Sequence, residues 1–187
     1  MAVTVLDEKT ALVLIDLQKG IVALPVAHSA AEVVSRASRL AAAFRRAGKP
    51  VALVNVAGGA PGRTDRAAPA LPRTSDWTEL VAELAAEPSD LRVTKHAWGA
   101  FTGTDLHAKL KALGVTQIVL AGIATSIGVE STAREAFALG YNVTLAIDAM
   151  TDMSREAHDN SLERIFPRLG EACTSQQVID LLQTAHG

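Results

Sequence analysis

Residues 117–140 read QIVLAGIATSIGVESTAREAFALG, and this stretch decides the architecture. QIVLAG at 117–122 is a short, almost continuously apolar run rich in β-branched residues, the mark of a strand covered on both faces. A turn of small residues, IATSIG, follows. A helical segment is then predicted from Gly128 to Leu139, stopped by Gly140. A buried strand feeding a helix through a tight small-residue turn is half of a parallel crossover unit, so the rest of the chain should repeat it.

It does. ALVLI at 11–15, VALVNV at 51–56, LRVTK at 91–95 and NVTLAID at 142–148 read as further strands, and residues 172–174 as a short edge strand. Between them, residues 30–47 carry Val33, Val34, Leu40 and Phe44 at helical spacing before Gly48-Lys49-Pro50. TELVAELAAE at 78–87, DLHAKLKALG at 105–114, SREAHDNSLERIF at 154–166 and SQQVIDLLQTA at 175–185 are also predicted helical. This alternation predicts one α/β domain over residues 1–187, a three-layer α/β/α sandwich around a mostly parallel, about six-stranded Rossmann-like sheet. Residues 58–76, rich in glycine and proline, form a loop long enough to act as a lid or an oligomer contact.

Composition narrows the function. With 187 residues, 49% of them hydrophobic, and a net charge of −2, the chain can bury a core and has no electrostatic reason to bind nucleic acid or a membrane surface. No apolar run is long enough to span a bilayer, and the first residues do not resemble a signal peptide. A lone cysteine, Cys173, excludes an internal disulfide. The expectation is a soluble, cytoplasmic protein acting on a small molecule.

Ligands of open parallel sheets bind beyond the carboxyl ends of the strands, where strand order reverses. Three features should meet there: Asp16 after the first strand, Lys95 closing LRVTK, and the turn at 122–128. A buried carboxylate or ammonium is costly alone, but as a pair each compensates the other and equips a pocket for proton transfer. Gln18, Trp98 and Phe101 flank these positions, with Trp98 expected to wall an apolar pocket. Thr125 and Ser126 supply hydroxyls but show no evident base beside them. The backbone N–H groups of the turn, at Ala124 and Gly128, suit an anion or a developing oxyanion. Each has a plainer reading: Asp16 as a turn residue, Lys95 at the sheet rim, the small residues merely permitting the turn. His28, His96, His107, His158 and His186 lack metal-ligand spacing and read as surface or loop residues, with alternation pointing His96 away from Lys95. Arg134 and Glu135 read as a solvated helix face.

LVLIDLQKG around Asp16, VTKHAWGAF around Lys95 and GIATSIGVESTAREAF at 122–137 together resemble the isochorismatase-like hydrolase family. The resemblance extends over about residues 10–170. It implies the α/β/α fold, a homo-dimer or tetramer, and a site of Asp16, Lys95 and position 128. Amidases of that family place a nucleophilic cysteine at this last position, where the chain has Gly128, and Cys173 lies in a late segment that cannot replace it. Cysteine-dependent acyl transfer is therefore not expected. Isochorismatases carry glycine there and hydrolyse a vinyl ether by protonation from the aspartic acid, with no protein nucleophile. They resemble KWRYSAF around the lysine, whereas KHAWGAF has Ala97 and Trp98 at the arginine and tyrosine positions, which removes a guanidinium clamp for a carboxylate. Nicotinamidases of the family bind a metal after the second strand, but NVAGGAPGRTDRAAP at 55–69 has no histidine, so neither metal nor cofactor is expected. The resemblance also implies a cis Ile123–Ala124 peptide. The leading reading is acid–base hydrolysis by Asp16 and Lys95. The alternatives are an amidase using Thr125, Ser126 or water, and a metabolite-binding protein on the same scaffold, which would have no need of the acid–lysine pair.

Overall fold

The computed structural model describes residues 3–65 and 74–184. Six strands, β1 (Thr10–Ile15), β2 (Val51–Val56), β3 (Leu91–Lys95), β4 (Gln117–Ile123), β5 (Asn142–Thr151) and β6 (Glu171–Cys173), form one sheet in the order β3-β2-β1-β4-β5-β6. All five pairings are parallel. The chain builds outward from β1 in one direction, then crosses to β4 and builds in the other. The strand order therefore reverses between β1 and β4.

A single helical turn, α1 (Lys19–Val22), follows β1. Alternation along β1 explains the two cores. Leu12 and Leu14 face a layer formed by α2 (Ala30–Arg46) and α6 (Ser175–Thr184), meeting Val33, Leu40, Phe44 and Val178. Ala11, Val13 and Ile15 face the opposite layer, with α3 (Leu106–Ala112) and α4 (Glu130–Ala138), meeting Leu106, Leu110, Ala133 and Ala136. An unbroken apolar strand is what two buried faces require. Ser29 caps α2 by accepting from the Glu32 N–H at 3.3 Å, and no described helix is long and apolar enough to cross a membrane.

Four local expectations need correction. The helix predicted at 78–87 shrinks to a single turn at Ala82–Leu84. Tertiary hydrogen bonds win there: Leu80 bridges Gln18, Val81 N–H donates to the Leu17 carbonyl, and the Glu79 carbonyl accepts from Lys19 N–H. The helix after β4 begins three residues early, as a π-helical turn at Thr125–Val129 that runs into α4. Strand β5 continues past 148 to Thr151, through an irregular stretch between Leu145 and Met150 where it pairs with Leu120 and Gly122. The helix predicted at 154–166 is α5 (Arg155–Asn160) followed by a π turn at Ser161–Ile165. Of the loop at 58–76, residues 66–73 lie outside the described residues, as does Ala185 of the last predicted helix.

Leu120, fully buried in β4 at the centre of the sheet, tests the core. Replacing Leu120 by Ala should lower the free energy of unfolding by about 2–5 kcal/mol in a chemical denaturation experiment.

Candidate active site

The sheet order dictates how the site forms. Strands β1 and β3 are separated by β2, so their ends stand about 10 Å apart, two strand spacings. A short carboxylate cannot span that gap, but a lysine side chain can. Lys95, the last residue of β3, reaches across the end of β2 and places its Nζ 2.8 Å from Oδ2 of Asp16, the first residue beyond β1. Asp16 adopts φ 52°, a left-handed conformation that aspartate tolerates better than most side chains, while its N–H remains bonded to the Val54 carbonyl.

The pair is almost dry: Asp16 is 5% exposed and Lys95 2%. All three ammonium protons of Lys95 have acceptors, namely Asp16 Oδ2, the Ala97 carbonyl at 3.1 Å and the Trp98 carbonyl at 2.9 Å. Asp16 is less well served. Its Oδ1 is buried and has no hydrogen-bond partner among the described residues. Burial pushes the Asp16 carboxyl up from 3.8 to about 6, against the charge and hydrogen bond of Lys95, which pull it down. With respect to this group the fold is most stable when the carboxyl is protonated, below pH 3.8. It loses roughly 3 kcal/mol as pH rises through the window from 3.8 to about 6.

Gly128 completes the constellation. A Cβ on this residue would stand 3.2 Å from Asp16 Oδ2, 3.7 Å from Lys95 Nζ and 2.9 Å from Ile15 Cγ2. Any side chain at 128 would therefore lie directly against the ion pair. The turn reaches this place because Gly122, at φ 130°, lets β4 pass where a side chain would collide with the Ile15 backbone. The Ile123–Ala124 peptide is cis. Cys173 sits on the edge strand β6, three strands from β1, with its thiol pushed by burial to about 12.

The remaining predicted site residues play other parts. The Gln18 amide is spent on backbone, donating to the Val56 and Trp77 carbonyls and accepting from Val56 N–H. Phe101 belongs to the core, stacked on Tyr141 with centroids 5.8 Å apart. The Trp98 ring does not wall a closed pocket: the residue is 62% exposed, and its contribution to the pair is its carbonyl. Thr125 and Ser126 do have polar partners, contrary to expectation. Thr125 Oγ1 donates to the Thr151 carbonyl and lies 2.8 Å from Nδ1 of His158, a buried residue and not a surface one. Ser126 donates both N–H and hydroxyl to Asp152 Oδ2, at 2.7 and 2.8 Å. These hydroxyls anchor the turn to the end of β5. His28 packs on His158 at 4.7 Å, His107 meets the Tyr141 hydroxyl, and His96 is exposed beside Lys95 as alternation requires.

Sequence reading missed Asp152, His158 and Glu135, the last bonded to loop residues and not simply solvated. Asp152 had a usable signal, a carboxylate following a buried strand as Asp16 does, hidden because β5 runs longer than its pattern suggested. His158, inside a polar helical segment, offered none.

A parallel sheet with an acid–lysine pair at its reversal point defines a Rossmann-like α/β protein with its site at the carboxyl edge. The isochorismatase domain matches residues 10–177. The isochorismatase family protein YecD of Escherichia coli O157:H7 is 45% identical over 182 residues, covering 92% of this chain and 96% of its own. The family protein YwoC of Bacillus subtilis (strain 168) is 46% identical over 182 residues, covering 92% and 94%. The solved structure of an isochorismatase family protein from Burkholderia thailandensis superposes with a TM-score of 0.90 at 44% identity, over 96% of this chain and 98% of that one. The chain belongs to the isochorismatase family of hydrolases.

Lys95 holds Asp16 down by both charge and hydrogen bond. Replacing Lys95 by Met should therefore move the Asp16 titration above 6, followed by carbon-13 NMR of labelled aspartate. A downward shift would show that burial does not govern this carboxyl.

Proposed function

We propose that the chain hydrolyses a small vinyl ether by acid–base chemistry with no protein nucleophile. The observation that carries this reading is Asp16 Oδ1, a buried carboxyl oxygen with no partner among the described residues, on a group whose burial raises its pKa to about 6. Such an oxygen is suited to hold a proton and deliver it. The proton passes from Asp16 to the terminal carbon of the double bond, whose π electrons form the new C–H bond. The ether oxygen shares the resulting positive charge. Water adds to the cationic carbon and returns a proton to Asp16. The hemiketal then breaks its C–O bond, leaving a carbonyl compound and an alcohol. Lys95 stabilises the carboxylate in the interval, and Gly128 leaves the ion pair unobstructed where a thiol would otherwise stand.

The backbone N–H groups of Ala124 and Gly128 are proposed to orient a polar group of the substrate. Ala97 offers no guanidinium, so the substrate is held by fewer charged contacts than a clamped carboxylate would need. Nucleophilic use of Thr125 is disfavoured, because its hydroxyl is fully buried and committed to β5. The protein is proposed to act as a homo-oligomer without a metal or other cofactor.

The test is a screen of vinyl ethers against amides and carbamoyl compounds, with Asp16→Asn as the blank. Vinyl ether turnover should carry solvent deuterium into the product carbon and fall about 10²–10⁴-fold in the variant. Because the acid must be protonated, kcat/KM should decline as pH rises above about 6. Amide turnover through a covalent enzyme adduct, or full activity of the variant, would refute the reading.

A further inference from the structure

Taking Asp16 and Lys95 as the reactive pair proposed above, we infer that Thr132 and Glu135 on α4 are positioning residues, clamping the loop whose carbonyls hold the Lys95 ammonium. Two of the three Lys95 protons end on the carbonyls of Ala97 and Trp98, in the loop immediately after β3. Those carbonyls are useful only while the loop is fixed. The Trp98 side chain does not fix it, since the residue is largely exposed. Helix α4 does. Ala100 N–H donates to Thr132 Oγ1 at 3.1 Å, Phe101 N–H donates to Glu135 Oε2 at 2.9 Å, and the Thr102 hydroxyl donates to Glu135 Oε1. Gly99 makes this approach possible, because a side chain there would collide with the Glu135 carboxylate.

Thr132 also reaches the other half of the site. Its hydroxyl donates to the Gly128 carbonyl at 2.7 Å while accepting from Ala100. One buried hydroxyl thus ties the turn at 128 to the loop that holds Lys95, and Glu135, one turn further along α4, secures the same loop. The two strand-end segments are registered to each other through a single helix. Asp16 needs no such device, because its own N–H is bonded to β2.

The experiment follows the Lys95 ammonium itself in the full-length, nitrogen-15-labelled chain, its NMR signal identified by its disappearance in Lys95→Met. An ammonium with three acceptors should exchange its protons slowly. Combining Thr132→Val with Glu135→Ala should speed that exchange about tenfold, as expected when its carbonyl acceptors are no longer held. Thr132→Ser, which keeps the hydroxyl, should leave exchange as it was. Should the double variant not fold, Glu135→Ala alone is read the same way, with a smaller acceleration expected. Exchange indistinguishable from the unaltered chain in the folded variant, or Thr132→Ser exchanging as fast as the double variant, would overturn the inference. A purely structural role would lower the melting temperature without altering this signal. The readout needs no turnover, so a chain that hydrolysed no vinyl ether would defeat the proposed reaction and leave the clamp to be judged on its own.

Discussion

The reach of Lys95 across the end of β2 to Asp16 is the contact on which the site depends. Neither partner could occupy its position alone: a bare ammonium or carboxylate buried this deeply would lose its charge or expel its strand from the core. The sheet order makes the contact possible by placing two chemically opposite residues two strands apart. The unequal lengths of the side chains then decide its form. Lysine crosses, and aspartate stays over its own strand.

The pair is asymmetric in a second respect. Lys95 has every proton accepted, whereas Asp16 has one oxygen bonded and one bare among the described residues. Burial raises the proton affinity of the carboxyl even beside a cation. A fully compensated ion pair would be a static strut. The bare oxygen leaves this one an unused acceptor position, on a carboxyl whose pKa burial raises to about 6. Gly128 fits that picture, since a side chain there would press on the same atoms.

Around the pair, polar groups serve as framework, among them Glu135 and His158, which read as solvated or surface residues. Ser126 and Thr125 tie the turn to Asp152, His158 and the end of β5, and Thr132 and Glu135 tie the loop after β3 to α4. Buried networks of this kind are costly unless every member is satisfied. Their presence around the turn after β4 and the loop after β3 explains how these glycine-containing segments hold a fixed geometry.

Period and punctuation along the chain sufficed for the sheet, the two helical layers, and the convergence of Asp16, Lys95 and Gly128, because strand ends in a parallel sheet share one edge whatever the side chains do. That position 128 is where a cysteine would stand came from the resemblance to the isochorismatase-like family and not from period or punctuation; the structure shows Cys173 buried on β6, three strands from β1. Residues 78–87 show where local pattern fails: their helical spacing yields to hydrogen bonds with Leu17, Gln18 and Lys19, partners some sixty positions earlier in the chain. Gln18, Phe101 and Trp98 were near the site in sequence, but their side-chain directions depend on neighbours that only folding supplies. The bare Oδ1 of Asp16, the carbonyls that hold Lys95, and the burial of His158 were likewise decided by tertiary structure. Sequence carries periodicity and residue type, while desolvation and hydrogen-bond partnership arise from groups brought together across the whole chain.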